Sequence, residues 1–234
     1  MKAVILAGGY GTRLAEETKI KPKPLVKIGK KPIIWHLIKI YSFYGINEFI
    51  ICLGYKGSLL KKELNKLNSK KKWNIKYVKT GLKTMTGGRV KRIKKLVSME
   101  DNFCLSYGDG LSDVNIKNLI KFHKKNKKIA TLTAVRPPAR FGELKIHKAG
   151  LVKKFEEKNQ INQGWINGGF FVLNKKIFDY LPKNQCMLER EPMTKLTQDK
   201  QLVALKHNGF WQCMDTLRDK ELLNKLWNSG KSKW

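Results

Sequence analysis

The chain has 234 residues, with 49 Lys and Arg against 18 Asp and Glu and a formal net charge of +31. That length carries one α/β domain, residues 1–234, with a real core. Lys or Arg interrupts every apolar run before it reaches the roughly 18 residues of a membrane span, which excludes insertion. The charge is mostly scattered lysine, with short blocks at Lys70–Lys72 and Lys124–Lys128, and lacks the interleaved stacking aromatics of a specific nucleic-acid site; it reads as a basic solvated surface.

In chain order, the first strand-like run (2–6, KAVIL) passes straight into Ala7-Gly8-Gly9-Tyr10-Gly11-Thr12-Arg13-Leu14. The run is too short for a signal peptide and reads as a buried first strand of a cytoplasmic protein. Three glycines at the carboxyl end of a parallel strand let backbone N–H groups reach phosphate oxygens, and Arg13 adds a fork of donors. A tight turn with a surface arginine leaves the same trace. Leucine at position 14 departs from the dinucleotide fingerprint, and no Gly-Lys-Ser/Thr follows. Next comes Lys21-Pro22-Lys23-Pro24-Leu25, where the prolines predict a rigid extended segment that cannot be helix. A lysine fixed there suits an α-phosphate, although the segment alone is equally compatible with one more surface lysine.

Further strand-like runs are 48–53, 75–79, 102–107 and 129–135, alternating with helix-like segments near 32–44, 58–68, 88–97 and 113–126. This predicts a mostly parallel, Rossmann-like sheet flanked by helices. After Pro137-Pro138 the runs 143–147, 151–156, 165–173, 202–206 and 210–214 predict strands with few helices between them, an added β-rich portion. A helix over Leu217–Asn228 closes the chain, with Leu222, Leu223, Leu226 and Trp227 on its apolar face. Residues 1–136 thus carry the nucleotide-binding pattern and 137–234 the remainder. Cys52, Cys104, Cys186 and Cys213 have no metal-ligand spacing and read as free core thiols. His36, His123, His147 and His207 read as structural or surface groups.

Asp109 follows a buried strand at the same sheet edge as the glycine loop, where a carboxylate can ligate a hard cation. Asp215 offers a second carboxylate, but before the last helix it also fits a helix N-cap.

Taken together, LAGGYGTRL followed by KPKPLVKIGKKPII resembles the amino-terminal signature of the sugar-1-phosphate nucleotidyltransferases. TGLKTMTGGRVKR (80–92), YGDG (107–110), RFGEL (140–144), WINGGFFVL (165–173) and FWQCMDTLRD (210–219) are similar to the cytidylyltransferases of that family. The resemblance implies the nucleotide-diphospho-sugar transferase fold, with a β-rich sugar-binding portion in the second half. It implies that CTP and glucose 1-phosphate are joined into CDP-glucose with release of pyrophosphate and that Mg²⁺ is the cofactor. Leu6, Ala7, Gly8, Gly9, Tyr10, Gly11, Thr12 and Arg13 would wrap the triphosphate, with Lys23 on the reacting phosphates. Thr84 and Arg89 would hold the nucleotide, Gly108 would lie beneath the ribose, and Asp109 with Asp215 would bind the metal. Arg13, Lys23 and Asp109 are the catalytic candidates. Glu157, Lys158, Asn167 and Gly168 would take the sugar phosphate, although Asn159 replaces the family's proline after that lysine. UTP, dTTP or GTP fits the shared loop equally well. A non-catalytic regulatory or polyanion-binding chain would be expected to lose Arg13, Lys23 or the aspartates, all of which are present. The segment between Gly57 and Thr80 is shorter than the resemblance leads one to expect, which leaves assembly into a homo-oligomer open.

Overall fold

Every residue of β1 (Ala3–Ala7) is buried, as a strand covered by helices on both faces must be. The structure is a computed structural model describing residues 1–70, 72–138, 143–156, 164–182 and 185–234. From β1 the chain passes through a short helix α1 (Ala15–Thr18) and a small hairpin, β2 (Lys27–Ile28) and β3 (Lys31–Pro32), into α2 (Ile33–Phe43), which crosses to β4 (Glu48–Leu53). Helix α3 (Gly57–Leu67) crosses in turn to β5 (Asn74–Lys79). Two short helices, α4 (Thr86–Arg92) and α5 (Lys94–Val97), return to β6 (Asn102–Tyr107). After β7 (Gly110–Ser112), α6 (Ile116–Asn126) leads to β8 (Ala130–Val135). The second half supplies a hairpin of β9 (Glu143–Ile146) and β10 (Val152–Glu156), then β11 (Ile166–Asn174), α7 (Glu191–Gln198), β12 (Leu202–His207), β13 (Trp211–Cys213) and α8 (Leu217–Asn228).

Seven strands form the main sheet in the order β12-β8-β11-β6-β1-β4-β5. All its pairs are parallel except the two made by β11. The period-2 alternation of the strands sorts the core into two layers. Ile5, Ile51, Cys104 and Val172 face α2, α3, α6 and α8, whereas Leu6, Cys52, Leu105 and Phe171 face α4, α5 and α7. Among the described residues no helix is long and apolar enough to cross a membrane.

The five strands predicted for the first half are β1, β4, β5, β6 and β8, each within one residue of its predicted bounds, whereas the short β2, β3 and β7 were not foreseen. The second half departs from expectation in three ways. It is not simply added beside the sheet, because β11 is threaded between β6 and β8 and its residues Gly168–Leu173 are all buried. It also holds more helix than its apolar runs suggest, namely α7 and a 3-10 turn over Lys175–Tyr180. Pro192 at the start of α7 marks that helix's first turn, where its missing N–H costs nothing. Lastly, Leu222 is 40% exposed and turns away from the buried Leu223. The expected extended segment at Lys23 is instead a 3-10 turn over Lys23–Leu25. Pro24 sits where the turn needs no donor, while Leu25 N and Val26 N donate to the carbonyls of Pro22 and Lys23 at 2.8 and 3.0 Å.

Cys52, Cys104 and Cys186 are buried free thiols as expected, and Cys213 is only half buried. His36 and His123 are structural. His123 is 2% exposed, with Nε2 2.9 Å from Asn102 Oδ1 and Nδ1 2.8 Å from Thr131 Oγ1. An amide oxygen can only accept, so Nε2 carries the proton and Nδ1 accepts from the threonine hydroxyl, the arrangement of a neutral ring. Burial pushes its pKa down from 6.5 to about 4. The unfolded chain therefore binds this proton at a higher pH than the folded one, and the stability contributed is present above pH 6.5 and lost toward pH 4. Urea unfolding across that window should show a fall of about 3 kcal/mol, and His123→Gln should remove most of the slope. An unchanged slope in the variant would contradict this role.

Candidate active site

Open α/β sheets bind ligands at the carboxyl ends of their strands. Here the ends of β1 and β6 open onto a cavity of about 1660 Å³. Single small-molecule sites occupy roughly 300–1,000 Å³, so this one has room for two substrates. Five exposed apolar residues line it, Tyr10, Leu82, Met85, Ile166 and Leu222, offering flat apolar contact around a polar floor.

The floor is built by one short antiparallel ladder. Asp109 immediately precedes β7 and Asp215 follows β13, whose pairing sets Cys213 opposite Gly110 and Trp211 opposite Ser112. Met214 N donates to Asp109 O at 2.9 Å and completes the register. Two carboxylates separated by 106 positions in the chain are thereby forced together. Lys23 Nζ sits between them, 2.6 Å from Asp109 Oδ2 and 2.6 Å from Asp215 Oδ1, and Arg13 Nη1 donates to Asp215 Oδ2 at 2.6 Å. Burial pulls the Lys23 ammonium toward neutrality, but the two carboxylates outweigh it and hold its pKa above the ordinary value. Burial likewise raises Asp215, and its hydrogen bond to Lys23 and the charges of Lys23 and Arg13 overcome this and keep it low. Lys23 and Asp215 are therefore both charged at neutral pH. The ammonium stands in for a cation shared by both carboxylates. Among the described residues no set of three or more His, Cys, Asp and Glu gathers around one point. Two carboxylates are, however, the donor set a hard divalent cation uses when phosphate and water complete its shell.

Asp215 is not the helix N-cap. Thr216 caps α8 in a capping box with Asp219. Asp219, 8% exposed, accepts from Gln212 Nε2, from the backbone N–H groups of Asp215 and Thr216, and from Thr216 Oγ1 at 2.8–3.0 Å. It thus fixes the backbone that carries Asp215.

Residues 6–13 line the cavity as one continuous rim. Gly11 has φ 69°, and Thr18 Oγ1 donates to the carbonyls of Gly11 and Leu14, holding the loop's shape. Beneath the loop lies Arg89, 5% exposed. Its guanidinium donates to Gly8 O at 2.9 Å, Thr80 Oγ1 at 2.5 Å and Leu53 O at 3.3 Å. A Cβ on Gly8 would come within 2.0 Å of Arg89 Nη1, so this approach requires glycine. Arg89 makes no ion pair with a described carboxylate. Burying a cation without a carboxylate partner is unfavourable, and an anion on the loop above it would offset that penalty.

Thr84, Gly108 and Asn167 also line the cavity. Gly168 does not; its carbonyl accepts from Trp211 Nε1 at 2.7 Å, behind Asn167. Glu157 and Lys158 lie outside the described residues. The sequence reading missed Tyr107, Thr86, Glu189 and Asp219, all of which line the same cavity. Thr86, Tyr107 and Asp219 each lay within a stretch already singled out, without being assigned a role. Glu189 belongs to a turn before the unforeseen α7 and gave no periodic signal. No histidine is among the described lining residues.

Comparison with known proteins shows the family. The family model described as nucleotidyl transferase matches residues 2–219. The chain is 48% identical to glucose-1-phosphate cytidylyltransferase of Salmonella typhimurium over 254 aligned positions that cover 100% of this chain and 98% of the relative. It is 31% identical to mannose-1-phosphate guanyltransferase of Yarrowia lipolytica, covering 96% of this chain and 62% of that protein. Among solved structures, HddC from Yersinia pseudotuberculosis superposes with a TM-score of 0.74 at 25% identity, covering 97% of this chain and 99% of that one. A UDP-glucose pyrophosphorylase complexed with UDP-glucose gives 0.73 at 19% identity, with 98% of each chain covered, which shows the shared fold. With the family model matching residues 2–219 and a relative 48% identical along the full length of the chain, the chain belongs to the nucleotidyl transferase family.

Proposed function

We propose that this enzyme transfers a cytidylyl group from CTP to glucose 1-phosphate, giving CDP-glucose and pyrophosphate. The observation that carries the reaction class is the convergence of Lys23, Arg13, Asp109 and Asp215 within 2.6 Å contacts on the floor of the cavity, at the end of the glycine loop. The choice of CTP and glucose 1-phosphate rests on the full-length relative named for that activity at 48% identity.

An oxygen of the sugar phosphate attacks the α-phosphorus in line; the new P–O bond forms as the bond from that phosphorus to the bridging oxygen breaks, and the electron pair leaves on pyrophosphate. The nucleophile is already an anion, so no general base is required, consistent with a described cavity lining that contains no histidine. Catalysis then consists of positioning and charge neutralisation. Glycine-loop N–H groups, with the buried Arg89 charge below them, hold the triphosphate. Lys23 neutralises the reacting phosphate, and Arg13, three-quarters exposed at the rim, reaches the phosphates leaving. Asp109 and Asp215 would hold Mg²⁺, which supplies charge neutralisation at phosphate oxygens. Asn167 bonds a hexose hydroxyl, with Glu157 and Lys158 assigned to the sugar phosphate by resemblance.

Pyrophosphate release with Mg²⁺ and glucose 1-phosphate should be fastest with CTP among CTP, UTP, dTTP, GTP and ATP, with CDP-glucose as the product. Preference for another nucleotide would overturn the substrate and keep the reaction class. Asp109→Asn and Lys23→Ala should each lower kcat by about 10²–10³-fold while circular dichroism stays native. Near-wild-type turnover in either variant would remove that residue from the mechanism.

A further inference from the structure

A turn that follows β11 and precedes α7 reaches across the cavity and touches both of its sides. Cys186 O accepts from Gly88 N at 3.2 Å, and Leu188 N donates to Thr86 Oγ1 at 2.9 Å. A Cβ on Gly87 would lie 2.7 Å from Cys186 Sγ and 2.9 Å from its carbonyl, so the docking of this turn on α4 explains the glycine in Thr86-Gly87-Gly88-Arg89. At its tip, Glu189 accepts from Thr86 Oγ1 at 2.6 Å with one carboxylate oxygen and from Tyr107 OH at 2.5 Å with the other. Tyr107 OH accepts in turn from Asn167 Nδ2 at 3.4 Å, and Asn167 Oδ1 accepts from Gly169 N at 2.9 Å. The Tyr107 ring is fixed edge-on against Phe171, with centroids 5.8 Å apart, and covers Gly169, where a Cβ would meet it at 2.6 Å.

A single carboxylate thus joins two segments that have opposite duties in the proposed reaction. Thr86 opens the helix that carries Arg89, the cation beneath the phosphate loop. Tyr107, through its hydroxyl, holds Asn167 on the sugar side. We propose that Glu189 is a positioning residue that sets the nucleotide half and the sugar half of the cavity in register, so that losing it weakens both substrates together. This inference rests on the nucleotidyl-transfer reading of the site. Glu189 touches neither reacting phosphate; it acts through Thr86 and Tyr107.

The carboxylate has two arms, and the test separates them. Dissociation constants for CTP with Mg²⁺ and for glucose 1-phosphate, measured by calorimetry alongside KM and kcat, should split by variant. Thr86→Val should weaken CTP alone and Tyr107→Phe should weaken glucose 1-phosphate alone. Glu189→Ala should weaken both, each by about tenfold or more, as expected for loss of a hydrogen bond to a charged group. Glu189→Gln, which still spans the gap with one acceptor and one donor, should recover to within about threefold of wild type. In a Thr86→Val/Glu189→Ala double variant, the two effects on CTP should not multiply, because they remove the same bond. The inference is overturned if Glu189→Ala leaves both affinities within about twofold of wild type, or if it lowers the melting temperature and kcat while neither affinity changes. No turnover by the wild-type enzyme with any substrate pair would count against the functional reading alone, since the binding ratios decide the role of Glu189 separately.

Discussion

The site depends on a mutual neutralisation: two carboxylates and two cations meet in a cavity floor where the buried Lys23 could not remain charged alone. Lys23 is 8% exposed, and an ammonium buried that deeply without partners would lose its proton. Asp109 and Asp215 keep it charged, and it keeps Asp215 ionised. The cluster is neutral as a whole, which lets it be buried while holding charges of both signs ready for substrates. A cation on the carboxylates and phosphate oxygens around Lys23 and Arg13 would replace each ion pair by another of the same kind, so the substrates complete a charge pattern already present.

The rest of the fold can be read as the scaffold of that cluster. Asp109 is carried out of the buried strand β6, and Asp215 is brought to it by the ladder of β13 on β7. Asp219 accepts four hydrogen bonds that pin the backbone on either side of Thr216. Lys23 is aimed by a 3-10 turn bracketed by Pro22 and Pro24, whose following residues Leu25 and Val26 anchor in the core. Arg89 adds a second electrostatic element from below, an arginine locked to backbone carbonyls of the loop and of β4's last residue. Its contribution is structural and electrostatic at once: it shapes the glycine loop and leaves net positive charge beneath it.

Much of this was legible in the sequence because the signals are local. Strand-then-glycine at 2–11, buried runs such as EFIICL and NFCLSY, and proline-flanked Lys23 each depend on neighbours a few positions away, and the structure places all of them at one sheet edge. What stayed hidden is non-local. No pattern around Asp215 shows that it meets Asp109, because the meeting is made by strand pairing across more than a hundred residues. No property of Val172 or Phe171 reveals that β11 enters the sheet antiparallel between β6 and β8. Arg89 showed its charge in the sequence and not its burial; its guanidinium bonds Gly8, Thr80 and Leu53, and the residue still lines the cavity. Glu189 was invisible for the same reason, since its meaning lies in Thr86 and Tyr107 from distant parts of the chain.

The most direct test of this account is a crystal structure with Mg²⁺ and a non-hydrolysable CTP analogue. The account predicts metal density ligated by both Asp109 and Asp215, with Lys23 moved from the carboxylates onto a phosphate oxygen. Metal bound away from either aspartate, or a Lys23 still bridging the two carboxylates while nucleotide is present, would contradict it.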